Sequence, residues 1–258
     1  MKSRIGYFLL FLSVFVVCLI AMTPASFVVG KIQENVPDVT IYGASGTLWS
    51  GQGQAVAVPG ALLKNVEWHL SPWALLTGHA RLAFSSISSE LHSEGVLDVD
   101  LLSESVTLHD TIVRFPVDTY AEQLGVADFD LTGQFELSLG QLHYQEGILS
   151  DLQGVFVWRD AGVSNALQLG DLQAEIEQQG DVLNATLSDL QGPISLSGTL
   201  ALQGSGQYQI KSTLGAKDNS DVNLKQALRL LGRSIGESKV QVENKGQIAI
   251  PAWLRLAP

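Results

Sequence analysis

The feature that most constrains this chain is a two-residue alternation of apolar and polar side chains, recurring from Val39 onward. Leu97, Val99 and Leu101 alternate with Asp98 and Asp100, and Phe135, Leu137 and Leu139 with Gln134, Glu136 and Ser138. Leu196, Leu200 and Leu202 follow the same rule, as do Tyr208 with Ile210 and Val240 with Val242. Successive strand side chains point to opposite faces, so this period dictates antiparallel strands with one polar face and one face over an apolar layer. Gly125, Gly140, Gly147, Gly162, Gly180, Gly204 and Gly206 punctuate the runs at intervals that suit hairpins. The predicted fold is mainly β: a long antiparallel meander forming a curved open sheet, half-barrel or groove-like, with a few short helices. With 46% hydrophobic residues the chain has ample material for a core, which excludes a disordered acidic tail protein.

A different pattern precedes the strands. Ile5 to Met22 is an uncharged run rich in Leu, Ile, Val and Phe. About 20 predominantly apolar residues are needed to cross a bilayer as a helix, so the run predicts one N-terminal transmembrane helix, extending to about residue 29 at most. Lys2 and Arg4 stand just before it and set the N-terminus in the cytoplasm. A cleaved signal peptide is the rival reading, but its apolar region is shorter and ends at small residues, whereas here Thr23 and Ala25 bracket Pro24. The expected organisation is a cytoplasmic tail at 1–4, an anchor at 5–22 and a single β-rich domain at 30–258 beyond the membrane. The single Cys, Cys18, falls in the apolar run, which rules out an intrachain disulfide and suits an oxidising periplasm for the rest.

Three short helices are expected, one before the strands and two among them. Phe27 to Val36 continues to Pro37, which stops it. Ser71 and Pro72 open a second that Gly78 closes. A third, capped by Asp221 or Asn223, runs through Leu231 to Gly232. On that third helix Leu224, Leu228 and Leu231 share a face, and Lys225, Arg229 and Arg233 share another, either a solvated face or a contact face for an acidic partner or anionic lipid headgroups. Asp118 to Gly125 reads as a further turn or two.

The net charge of -11 is concentrated: residues 82–210 carry 19 acidic and two basic side chains, while both flanks are weakly positive. Clustered Lys and Arg, the requirement for phosphate contact, are absent there, so no nucleic-acid partner is expected. The five His form no HExxH or close pair. The carboxylate pairs Asp98 with Asp100 and Asp128 with Asp130 fit a solvated strand face better than a Ca²⁺ site. No nucleophile elbow is present. The sequence offers no catalytic residue, metal ligand or cofactor site, and no enzyme is expected.

Tyr42 to Gly53 holds four glycines and Trp49, which suits a tight bulged hairpin with an aromatic cap. Gly46-Thr47-Leu48-Trp49-Ser50-Gly51 and Trp68-His69-Leu70-Ser71-Pro72-Trp73-Ala74-Leu75-Leu76-Thr77-Gly78, with the late Leu228-Arg229-Leu230-Leu231-Gly232-Arg233, resemble the elements of the type II secretion system protein N family. The resemblance implies an accessory inner-membrane component of the machine that exports folded proteins from the periplasm across the outer membrane. It implies no catalysis, and partners among the other secretion subunits. A second class stays open: a periplasmic module that binds hydrophobes or lipid, of the kind AsmA-like proteins represent at the level of fold.

Overall fold

The computed structural model describes residues 22–35, 39–58, 61–88, 90–120, 130–163, 167–218, 222–235, 238–248 and 255–256, together with Tyr7, Phe11 and Phe15. The predicted spanning run from Ile5 to Met22, with Lys2 and Arg4 before it, therefore lies largely outside the described residues, as do Asp128 and Gly125. Among the described residues no helix is long and apolar enough to cross a membrane.

Helix α1 (Ala25–Asn35) leads into β1 (Thr40–Tyr42), β2 (Ser45–Gly46), β3 (Ser50–Val58) and β4 (Ala61–Leu70). After the short α2 (Pro72–Leu75) come β5 (His79–Ile87), β6 (His92–Asp100) and β7 (Ser105–Pro116). The chain continues through β8 (Leu131–Gln145), β9 (Ile148–Val163), β10 (Leu167–Gln179), β11 (Val182–Gln191), β12 (Ile194–Gln203) and β13 (Gln207–Ala216). Helix α3 (Val222–Leu231) precedes β14 (Arg233–Ser234), β15 (Lys239–Gln247) and β16 (Arg255–Leu256). The strands form one sheet in the order β1-β3-β4 through β13, then β15-β14. Every neighbour pair on that path is antiparallel, so the expected meander of hairpins forms. The path does not return on itself, so the sheet is open. The C-terminal β16 instead reaches back to pair in parallel with Ile148 and Leu149 of β9.

The register carries one apolar face through the whole sheet. Trp68 opposes Phe84, Leu82 opposes Leu97, and Leu97 opposes Leu108. Phe115 opposes Phe135, which opposes Trp158. Leu200 opposes Ile210, and Leu214 opposes Val240. The alternation read from the sequence is thus one face of one sheet. Phe135 is its aromatic centre, with rings of Phe115, Phe156 and Trp158 at centroid distances of 5.7, 5.0 and 5.6 Å. These are the tilted and edge-on contacts that aromatic quadrupoles favour. Trp158 Nε1 donates to Thr132 O at 2.9 Å, so the half-buried indole has its polar atom satisfied.

The opposite face is polar and carries charge ladders. Arg81 pairs with Asp98 at 2.7 Å. Glu136 accepts from both Arg114 (3.0 Å) and Arg159 (3.2 Å), and Arg159 also lies 3.5 Å from Asp171. Partial burial alone would raise the Glu136 carboxyl, but the two guanidinium hydrogen bonds outweigh it and hold the group below the ordinary range.

The acidic bias of the middle strands has a second cause in the backbone. Among described non-glycine residues with positive φ are Glu104, Asp110, Asp130, Glu146, Asp151 and Asp160, at φ of 45 to 55°. Asp tolerates this left-handed region better than most residues, and G1-type bulges use it. Asp110 falls in the skipped position of the β7–β8 register, and Asp151 in a shift between β8 and β9. The recurrent Asp-Leu-Gln strings mark such irregularities rather than strand entries: Asp151 lies inside β9, while Asp171 and Asp189 flank the β10–β11 shift.

Three details of the sequence reading are corrected. Gly140 and Gly162 lie inside β8 and β9, not in turns, because bulges let those strands run on for 15 and 16 residues. Leu101 leaves the strand pattern and joins the β6–β7 turn. Arg233 lies beyond α3, on β14.

Helices cover the apolar face at its two ends. Leu224 and Leu228 of α3 are 2% and 1% exposed, packed on Ile194, Ala216 and Val240. At the other end α1 lies over β3 to β5. Between them the face is half-buried among the described residues, at Leu108, Leu137, Phe156 and Ile176 for example.

Candidate functional site

The two glycine- and tryptophan-rich elements meet at one place, the start of α1. Residues Gly46 and Gly51 pair across the β2–β3 hairpin. Gly46 has φ +89°, and a Cβ there would lie 2.7 Å from Ser50 O, so only glycine fits. Thr47 closes the turn: its N–H donates to Ser50 O at 2.9 Å, and its Oγ1 accepts from Ser50 N at 3.2 Å. Gly51 opposes Trp68 and clears room for the indole.

This hairpin grips the chain where the apolar run ends. Pro24 bridges to Thr47, and Leu48 N donates to Thr23 O at 2.9 Å. Leu70 N donates to Trp49 O at 2.7 Å, which ties the same turn to the end of β4. Ala25 is buried at the head of α1, and Ala25, Val29, Leu48, Val66, Trp68 and Phe84 wall an apolar cavity of about 280 Å³.

The second element continues directly. Pro72 takes the first helical position of α2, and Ser71 is extended with no side-chain cap. Leu76, Thr77 and Gly78 close the turn by donating to Trp73, Ala74 and Leu75 carbonyls, and Gly78 completes it at φ +84°. Leu75 is half-buried, whereas Trp73 and Leu76 point to solvent. Leu101 N then donates to Gly78 O at 3.0 Å, which links α2 to the β6–β7 turn. The Asp100 carboxylate shapes that turn by accepting from Leu102 N (2.8 Å) and Ser103 N (3.2 Å), bonds that lower its pKa.

The remaining sequence candidates are placed as follows. Arg229 and Arg233 are exposed and Lys225 half-exposed at the far end of the sheet. Gly232 lets the chain turn tightly there, since a Cβ would lie 3.0 Å from both Val240 Cγ1 and Val242 Cγ2. Asp98 Oδ2 accepts from Arg81 while its Oδ1 is buried without a hydrogen-bond partner, 3.6 Å from His79 Nδ1, and Asp100 accepts from turn amides. Among the described residues no group of three or more His, Cys, Asp or Glu is placed to hold a metal ion. A hollow of about 500 Å³ on the polar face contains Glu175 and Glu177, each already accepting from a glutamine amide. Sequence reasoning weighed Thr23 and Ala25 only as flanks of a cleavage site and did not single out Val29. The signal for a structural role was present: small and β-branched residues on either side of Pro24, at the foot of a long apolar run.

The arrangement defines a class: a one-faced antiparallel sheet whose N-terminal junction is built from glycine–tryptophan packing, with no assembled catalytic constellation among the described residues. Residues 37–243 match the family model described as type II secretion system (T2SS), protein N, and the chain belongs to that family. Type II secretion system protein N of Vibrio cholerae serotype O1 is 26% identical over 96% of this chain and all of the relative's length. The Aeromonas hydrophila protein of the same name is 27% identical over the same shares. No solved structure matches. The chain is therefore a component of the type II secretion machinery.

Proposed function

We propose that this protein is an accessory, single-pass inner-membrane subunit, whose sheet stands in the periplasm as a docking scaffold for other secretion subunits. It performs no chemistry; it holds partners. The observation that carries the reading is the grip of the Gly46–Gly51 hairpin on Thr23 and Pro24, which fastens the sheet rigidly to the end of the run Ile5 to Met22. Lys2 and Arg4 keep the short tail cytoplasmic under this reading.

Docking falls to the far edge. β14 pairs only with Gln241 and Val240, so among the described residues β15 from Val242 to Gln247 has a partner on one side only. An exposed edge of this kind accepts a strand from another protein. The hollow beside it, about 310 Å³, is lined by Arg233, Gln241 and Glu243 and gives the incoming strand polar contacts. The test is a photo-crosslinking amino acid at Lys245 in cells with an intact secretion machine. Capture of another secretion subunit from native membranes supports the reading; a clean gel with the machine assembled sinks it.

One observation favours a second reading, a hydrophobe-binding module with an AsmA-like groove. The cavity under α1 is lined almost wholly by carbon, and the apolar face beyond it is half-buried. Solvent extraction of the purified protein followed by mass spectrometry decides it: stoichiometric lipid supports the module, and an empty protein removes it.

A further inference from the structure

Four of the most exposed large apolar side chains in the described structure belong to two neighbouring turns: Trp73 (77% exposed), Leu76 (77%), Leu101 (54%) and Leu102 (87%). Met22, at the end of the apolar run, is 77% exposed as well. Both turns sit at the strand ends where the chain enters the sheet. The link is continuous: Thr23 O to Leu48 N, Trp49 O to Leu70 N, then α2, then Gly78 O to Leu101 N. β3, β4, β5 and β6 are adjacent, so at about 4.8 Å per strand Leu102 lies roughly 15–20 Å sideways from Thr23. Among the described residues, the opposite ends of β5 and β6 carry a single exposed large apolar residue between them, Ile87 (63%), beside the ion pair of Glu90 with Lys64 at 2.7 Å.

Exposed clusters of this kind mark an interaction surface. We propose that Trp73, Leu76, Leu101 and Leu102 insert into the periplasmic interface of the same bilayer that the N-terminal run enters, and so fix the sheet's orientation on the membrane. The occupant follows from where the chain goes: the segment before Met22 is apolar and leaves at this end, so lipid lies beside these turns. The side chains fit an interface, where Trp sits at headgroup level and Leu beneath it. The nearby charges do not supply the attraction. Arg81 is paired with Asp98, and Asp100 and Glu104 are anionic. The contact is therefore hydrophobic, and neither salt nor anionic lipid content governs it.

This inference rests on the anchored reading above, and the experiment separates the two. The full chain, with Cys18→Ser and Leu102→Cys carrying a bimane label, is reconstituted in vesicles of phosphatidylethanolamine and phosphatidylglycerol. The lipids carry nitroxides at a shallow acyl position. A matched protein carries the label at Glu90→Cys, about 30 Å away along β6. The expected result is loss of emission at Leu102, none at Glu90, and no change between low and high salt. A second reporter at Leu76→Cys repeats the measurement should the first label disturb the turn. Equal emission at both strand ends, in protein that stays in the pellet after alkaline carbonate, overturns the inference and leaves the anchor standing. Release by carbonate overturns the anchor, and the inference with it.

Discussion

Gly51 lies directly opposite Trp68 in the β3–β4 register, and the indole occupies the space where a side chain on residue 51 would begin. A Cβ at Gly51 would stand 2.7 Å from Trp68 Cε2 and 2.6 Å from Ser45 O, so the crowding is against both a ring and a backbone atom. Gly51→Ala is therefore expected to cost about 1–3 kcal/mol, the range for overpacking. Trp68→Ala should cost about 3–5 kcal/mol, because it opens the wall of the α1 cavity. The double variant should lose less than the two costs added, since removing the ring relieves the clash. Melting of the detergent-solubilised protein across this double-mutant cycle measures the coupling.

This pair also explains what could be read in advance. Leucine, valine and phenylalanine at every second position made the sheet and its apolar face legible, because strand geometry is local. Gly46, Trp49 and Gly51 announced a tight hairpin for the same reason. The grip on Thr23 and Pro24 was hidden, because it joins hydrogen-bond partners that no periodicity relates. Bulges were hidden too: an Asp at positive φ, such as Asp151, looks in sequence like any polar residue of an alternating strand. Gly140 and Gly162 therefore read as turns when they lie within long strands.

At the far end, Leu228 is 1% exposed and packs with Ile194 and Val240. Leu228→Ala should cost about 2–5 kcal/mol. Since each strand contacts chiefly its neighbours, the damage should stay local, as it does in repeat-like architectures. Hydrogen exchange is expected to speed up in α3 and β13 to β15 and to remain as in the parent protein across β3 to β5. Uniform acceleration would mean that the sheet unfolds as one unit.

On the polar face, Glu136 holds β7, β8 and β9 together through Arg114 and Arg159. Its folded pKa is depressed, so the stability it contributes is present above the ordinary carboxylate value of about 4.3 and is lost as pH falls through the lower folded value. Asp189 behaves alike: burial opposes the charged form, but Lys217 (2.7 Å) and Leu196 N (2.7 Å) outweigh it. Glu136→Gln should cost about 1 kcal/mol near neutral pH, a modest figure because both arginines are partly solvated. The difference from the parent protein should shrink as pH falls below the ordinary carboxylate value of about 4.3 and vanish only below the depressed folded value. Melting curves from pH 7 to 3 check this; a constant gap across the range would assign the loss to packing instead of charge.

The basic side chains at the α3 end carry the sharpest test of the scaffold reading. Arg229 is exposed on the helix, and Arg233, exposed on β14, lines the hollow beside the open edge of β15. Neither supports the core, which Leu224 and Leu228 provide from the other side of the helix. Arg229→Glu with Arg233→Glu should therefore change stability by no more than about 0.5 kcal/mol, the usual scale for surface substitutions. If an acidic partner strand docks along β15, the same pair of reversals should lower the yield of crosslinking from Lys245, and folded cargo should accumulate in the periplasm. Like charges facing each other across an interface oppose encounter, so the loss should deepen at low salt and ease at high salt. Secretion and crosslinking at parental levels, with melting unchanged, would reduce this face to the solvated side of a core-packed helix.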